Sequence, residues 1–153
     1  GKKNDKVQFI DVRDVAKFMI HLIETKTIGT FNVVGAEKPI TMSEFVKKAH
    51  SIFDSKANFI QVDDYDFLLE HKIPNVVPWI MPTENNYGAA LISNELGIKN
   101  GLTYTPLTTT IQDTHDWWYS DNKDATEREA YENNPENLLL RETAILNAWE
   151  ERK

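Results

Sequence analysis

Phe9-Ile10-Asp11-Val12-Arg13-Asp14-Val15-Ala16, then Gly29-Thr30-Phe31-Asn32-Val33-Val34-Gly35, then Thr41-Met42-Ser43-Glu44, is the stretch on which the reading of the fold turns. Val7 to Asp11 is a short β-prone run, after which the apolar period changes. Val12, Val15, Ala16, Met19 and Ile23 follow helical spacing, and Phe18, Ile20 and Leu22 widen the face. So broad a face predicts a helix covered on more than one side. Asp11 or Asp14 caps its start, and Gly29 marks its end. Phe31 to Gly35 is short and apolar, which predicts a buried strand. Thr41 to Glu44 fits a capping box, in which the Thr41 hydroxyl accepts from the third helical amide and Glu44 reaches back. Ile40 and Phe45 stand in hydrophobic-staple positions around it.

Outward from there, Asn58 to Val62 reads as a third strand. Asp63 is placed to cap a short helix that Pro74 must end. Strand and helix thus alternate, as in an α/β unit. From Ile73 to Tyr87 the prolines at 74, 78 and 82 interrupt a segment that also holds Trp79, Ile80 and Met81, which predicts an ordered apolar loop. Ser93 opens a short helical turn, and Pro106 leads into a helix carrying Leu107, Ile111, Thr114 and Trp118. The organisation expected is a main unit over 1–119, a polar linker over 120–137 and an amphipathic tail helix over 138–153.

The chain has 153 residues, with 17 Lys and Arg against 24 Asp and Glu, and no cysteine. That length suits one domain, or one with a tail, and the 41% hydrophobic content suffices for a core. An acidic balance argues against a phosphate-neutralising nucleic-acid surface. The lack of cysteine excludes disulfide scaffolds, thiolate metal sites and cysteine nucleophiles. No apolar run approaches the roughly 20 residues of a spanning helix, and the first residues lack the apolar stretch of a signal peptide. No membrane association is expected, and the expected location is cytoplasmic. Gly1 stands where an initiator Met would be, as at a tag remnant or the edge of a cut fragment.

Catalytic patterns are missing. The six glycines never cluster into a phosphate-binding turn. His21, His50, His71 and His115 lie far apart and read as helical surface residues. Asp63, Asp64 and Asp66 lack the central glycine and terminal Glu of a calcium loop, so capping and solvation account for them. No Ser sits in a nucleophile elbow.

The opening stretch nonetheless resembles the C-terminal half of the extended short-chain dehydrogenase/reductases, the NAD(P)-dependent epimerase/dehydratase and reductase proteins. That family has a strand, a V-x-D-(V/L)-A helix start, a G-x-(F/Y)-N-(V/A)-x-G strand and a capped helix, in the order seen here from Phe9 to Glu44. Gly101-Leu102-Thr103-Tyr104-Thr105-Pro106 is similar to its G-L-x-(Y/F)-x-P element, and Leu107 to Trp117 to its closing helix. Arg141 to Trp149 is similar to a tail found in one reductase-like subgroup.

The resemblance implies an α/β fold, the C-terminal part of a Rossmann-like enzyme with short strands alternating with helices and a mostly helical tail. It implies a substrate-binding portion without the Gly-rich turn and Tyr-x-x-x-Lys pair of the family's N-terminal half. None of the five tyrosines has Lys four residues on. The fragment is therefore expected to bind no cofactor and to be inactive alone, with NAD(P) belonging to the parent enzyme. Its expected partners are the missing nucleotide-binding half and a small-molecule substrate. Self-association is a further expectation, because an incomplete sheet leaves an apolar face around Val7–Asp11 and Phe31–Gly35.

By the same resemblance, the segment before Asp14 and the proline-rich loop border the substrate. The Arg that grips a nucleotide diphosphate in many relatives is replaced by Val7, and valine cannot bind an anion. Gln8, Arg13, Trp79 and Met81 remain as candidates for substrate binding. Arg13 has a competing role as an ion pair with Asp11 or Asp14, and Trp79 one as core. Asn32 is assigned to backbone groups, and Trp117, Trp118 and Trp149 to packing. The rival is a free-standing α/β module that binds a protein or peptide through its tail helix.

Overall fold

In a computed structural model, which describes residues 1–53 and 55–152, the chain is a mixed α/β protein, 46% helical with two small antiparallel sheets. Lys153, the end of the expected tail helix, lies outside the described residues. β1 (Lys6–Val7) leads into α1 (Val12–Glu24). β2 (Ile40–Thr41) runs directly into α2 (Met42–His50), and α3 (Tyr65–Glu70) follows. β3 (Asn75–Val76) and β4 (Trp79–Ile80) form a hairpin. α4 (Glu95–Lys99), α5 (Leu107–Trp118), α6 (Ala125–Glu132) and α7 (Leu138–Glu151) complete the chain. No helix among the described residues is long and apolar enough to cross a membrane.

Local chemistry accounts for the helix starts. Asp11 caps α1, accepting from the Arg13 amide at 2.9 Å. The capping box at Thr41 is complete: Glu44 N–H donates to the Thr41 hydroxyl at 3.1 Å, and the Thr41 amide donates to the Glu44 carboxylate at 2.7 Å. These bonds hold the Glu44 carboxyl below its ordinary pKa, the backbone donor counting most. Asp64, rather than Asp63, caps α3.

The expected strands take another form. Of Val7–Asp11 only Val7 pairs, and it does so with Ile40 of β2, antiparallel. Residues 31–35 and 58–62 form no strand and join no ladder. A run becomes a strand only where a neighbour presents its backbone groups, and side chains occupy that place beside 31–35. Asn94 Nδ2 donates to the Val34 and Ala36 carbonyls at 3.2 and 2.9 Å, and the Tyr104 hydroxyl donates to Val34 at 2.7 Å. Asn32 does serve a backbone group, donating to the Ser93 carbonyl. Gly35 is required where it stands, because a Cβ there would overlap the Phe9 carbonyl oxygen. Within the stretch read as a polar linker, α6 forms behind an Asp124 cap that accepts from the Glu127 amide at 2.9 Å.

The core gathers Val7, Phe67, Leu68, Ile73, Trp79, Met81, Ile145 and Trp149 from both ends of the chain. α7 closes it, with the Trp149 ring edge-on to Phe67 at 5.0 Å between centroids. Arg152 bridges α7 to α3 through Asp64 and Glu70, each at 3.2 Å. Buried Asp5 is satisfied by three donors: the Lys2 amide at 2.8 Å, the Tyr65 hydroxyl at 2.7 Å and the Trp79 indole at 2.9 Å. Burial, and then the hydrogen bond to Asp5, push the Tyr65 hydroxyl pKa well above its ordinary value.

α1 is anchored differently. Buried Asp14 accepts from the Thr105 amide and hydroxyl at 2.6 and 2.7 Å, and Phe18 is buried. Val15 and Leu22 are half-buried, but one stripe of the apolar face is open: Val12 is 77% exposed, Met19 58%, Ile20 57% and Ile23 75%. The second cover expected for this helix is absent among the described residues. The exposed apolar face therefore lies on α1 rather than at Val7–Asp11, where Val7 is fully buried.

Candidate functional site

The largest cavity, about 860 Å³, lies between α2, α5 and α6. Its floor is one face of α5, where Thr110, Ile111, Thr114, His115 and Trp118 recur with helical spacing. Phe45 of α2 and Phe53 just beyond that helix make one wall. Glu127 and Tyr131, one turn apart on α6, make the other, with Lys123 before them. Val77 and Pro78, the β3–β4 turn, stand at the rim, and Phe9 closes an end.

The lining is a set of interlocked rings. Phe9 meets Phe45 edge-on at 5.4 Å, and Trp118 meets Tyr131 edge-on at 5.4 Å. His115 lies between Phe53 at 4.8 Å and Tyr119 at 4.9 Å. Polar bonds fix the α6 wall to the end of α5. Trp118 Nε1 donates to Glu132 at 3.0 Å, and Arg128 donates to the Trp118 carbonyl at 3.1 Å.

Lys123 and Glu127 pair at 2.5 Å, which neutralises the charges facing the cavity, and the Lys123 ammonium also lies over the Trp118 ring at 5.7 Å. His115 Nδ1 lies 3.1 Å from Asp116. That bond first, and then one from Gln112, hold the Asp116 carboxyl below its ordinary pKa. No group of three or more His, Asp or Glu gathers for a metal among the described residues. The cleft offers apolar surface, ring faces and a few polar tips, an arrangement that binds and orients.

The candidates from the sequence are not brought together there. Gln8 mimics a backbone pair: its Nε2 donates to the Ile92 carbonyl at 2.7 Å and its Oε1 accepts from the Ile92 amide at 3.2 Å. Arg13 grips Asp11 through Nε and Nη2 at 2.9 and 2.6 Å and reaches Asp113 of α5 at 2.5 Å. Asp11 also accepts from the Thr110 hydroxyl at 2.8 Å. The Arg13 bond, chief among these, holds the Asp11 carboxyl far below its ordinary pKa. Arg13 therefore clamps α1 to α5.

Trp79 and Met81 are each 2% exposed and pack in the core, the alternative held open for Trp79. The segment is a hairpin in which side chains alternate: Trp79 and Met81 point inward and Ile80 outward. Trp149 packs as expected, whereas Trp117 is 48% exposed and Trp118 lines the cleft. The run Trp117-Trp118-Tyr119 at a helix end was the available signal for the cleft. Tyr131, inside an apparent linker, carried none. No protein-family model matches the chain, and no curated protein or solved structure does.

Proposed function

We propose that the chain is the substrate-binding portion of an NAD(P)-dependent oxidoreductase or epimerase of the extended short-chain dehydrogenase/reductase type, completed by a separate nucleotide-binding half. The observation that carries this is the open apolar face of α1: Val12, Met19, Ile20 and Ile23 project from the helix start that resembles the family's. Monomers seldom leave so large an apolar stripe in water unless another surface covers it. The described residues include no Gly-rich turn to hold a pyrophosphate, so the cofactor is assigned to the other half. The cleft between α2, α5 and α6 is the place for substrate. Phe9 and the Val77–Pro78 turn line it, and both come from the two segments that the resemblance sets beside the substrate.

The test is to read the coding sequence upstream of Gly1 and express the longer chain. A Gly-rich βα turn and a Tyr-x-x-x-Lys pair are expected there. The longer protein should bind NADH or NADPH and protect the α1 amides from hydrogen exchange, while the 153-residue chain alone leaves the cofactor fluorescence unchanged. Tight cofactor binding by the short chain, or an upstream region without those motifs, overturns the reading.

A further inference from the structure

We propose that the cleft between α2, α5 and α6 takes a neutral, planar aromatic molecule, held between ring faces with any polar substituent turned to the mouth. That this molecule is the substrate of an oxidoreductase rests on the reading above; that the cleft binds it does not.

Size, charge and lining each point to this class. A cavity of about 860 Å³ falls within the roughly 300–1,000 Å³ of small-molecule sites. Its charges cancel, because the Lys123 ammonium is committed to Glu127 at 2.5 Å and to the Trp118 face. An anionic ligand would have to break that pair and leave Glu127 facing it. An anion thus finds no uncommitted Lys or Arg among the described residues that line the cleft.

The rings supply the positive half of the argument. Phe9 with Phe45 and Trp118 with Tyr131 pair edge-on, and Phe53 with His115 at a tilt, so the cleft is lined by rings set at angles to one another. An aromatic guest gains from offset or edge-to-face geometry beyond the burial of its area. The hydroxyls of Thr110 and Thr114 are already used, on Asp11 and on the Thr110 carbonyl. The floor therefore asks for apolar surface. The exposed Tyr119 and Tyr131 stand toward solvent, where a hydroxyl or carbonyl on the guest would meet them.

The test is calorimetric titration of the 153-residue chain with naphthol, naphthalenesulfonate and uridine diphosphate, with tryptophan fluorescence read in parallel. Naphthol should bind one per chain and quench Trp118, and each anion should bind at least about tenfold more weakly. Thr114→Trp, a substitution at an exposed floor position, should abolish naphthol binding. Tyr131→Ala, on the outer wall, should weaken it by about tenfold, the scale of one lost ring contact. Ile20→Ser on the open face of α1 should leave it unchanged. Circular dichroism certifies that each variant is folded.

Equal binding of either anion overturns the proposal, as does naphthol binding that survives both cleft variants or vanishes with Ile20→Ser. A chain dimer that naphthol dissociates in sedimentation overturns it too, since the cleft is then a surface between copies. The two readings fail separately. Naphthol binding with no nucleotide-binding half upstream removes the oxidoreductase alone, and such a half with no naphthol binding removes the aromatic guest alone.

Discussion

Two sides of this molecule treat apolar surface in opposite ways. Around Trp79 and Phe67, residues from the first strand to the last helix close over one another, and the buried carboxylate there, Asp5, has its donors. Along α1, Phe18 and the carboxylate of Asp14 are buried and Val15 and Leu22 half-buried, while Val12, Met19, Ile20 and Ile23 face water. The first side is finished by this chain. The second is held in position by the Phe18–Phe31 contact and by polar clamps, Asp14 to Thr105 and Arg13 to Asp113, and its outer stripe has no apolar cover among the described residues. A helix can therefore be firmly placed by a few buried polar bonds while its hydrophobic stripe is kept for another surface.

The strongest way to break this contrast is Trp79→Ala. It empties a closed core and removes one of the three donors to Asp5, so a loss of about 3–5 kcal/mol is expected in urea unfolding. A loss near zero would mean that the core is loosely packed. Asp14→Ala tests the clamp. It leaves the Thr105 amide without its acceptor and should cost about 1–3 kcal/mol in the same assay.

Acid sharpens the comparison next. The Asp11 carboxyl is depressed in the folded chain by Arg13, so the folded state binds that proton more weakly than the unfolded one. The stability it supplies is whole above about pH 4 and falls as the pH drops below that value. Arg13→Met should flatten the acid limb of a stability–pH profile, and an unchanged limb would remove the clamp from the account.

The smallest expected effect is on the open face. Ile23→Ser with Met19→Ser should alter unfolding stability by less than about 0.5 kcal/mol, as for exposed positions, while reducing self-association in sedimentation. A larger loss would show that the face is covered within the chain after all.

What the sequence disclosed followed from how locally each feature is decided. The Thr41–Glu44 box, the Pro106 helix start and the tail helix through Ile145 and Trp149 depend on near neighbours, and each formed as read. The helix from Val12 formed too, but its covering was not local and did not follow. Strands at 31–35 and 58–62 needed pairing partners that no short window contains. α6 was hidden by its polar composition, although Asp124 and Glu127 stand in a capping arrangement.

The cleft was least legible of all. Phe9, Phe53, Trp118 and Tyr131 are far apart in sequence, and only tertiary packing brings their rings to one place. The burial of residues 79 and 81 was hard to read for a related reason: prolines suggested an ordered apolar loop, and the two-residue alternation of a hairpin turned these side chains inward.

Two of the eight buried members of the core, Ile145 and Trp149, belong to α7. During translation the interior therefore stays open until that final helix clears the ribosomal exit tunnel. Until then Phe67 and Trp79 lack the helix that covers them, and a stop codon before Leu138 would leave them uncovered for good.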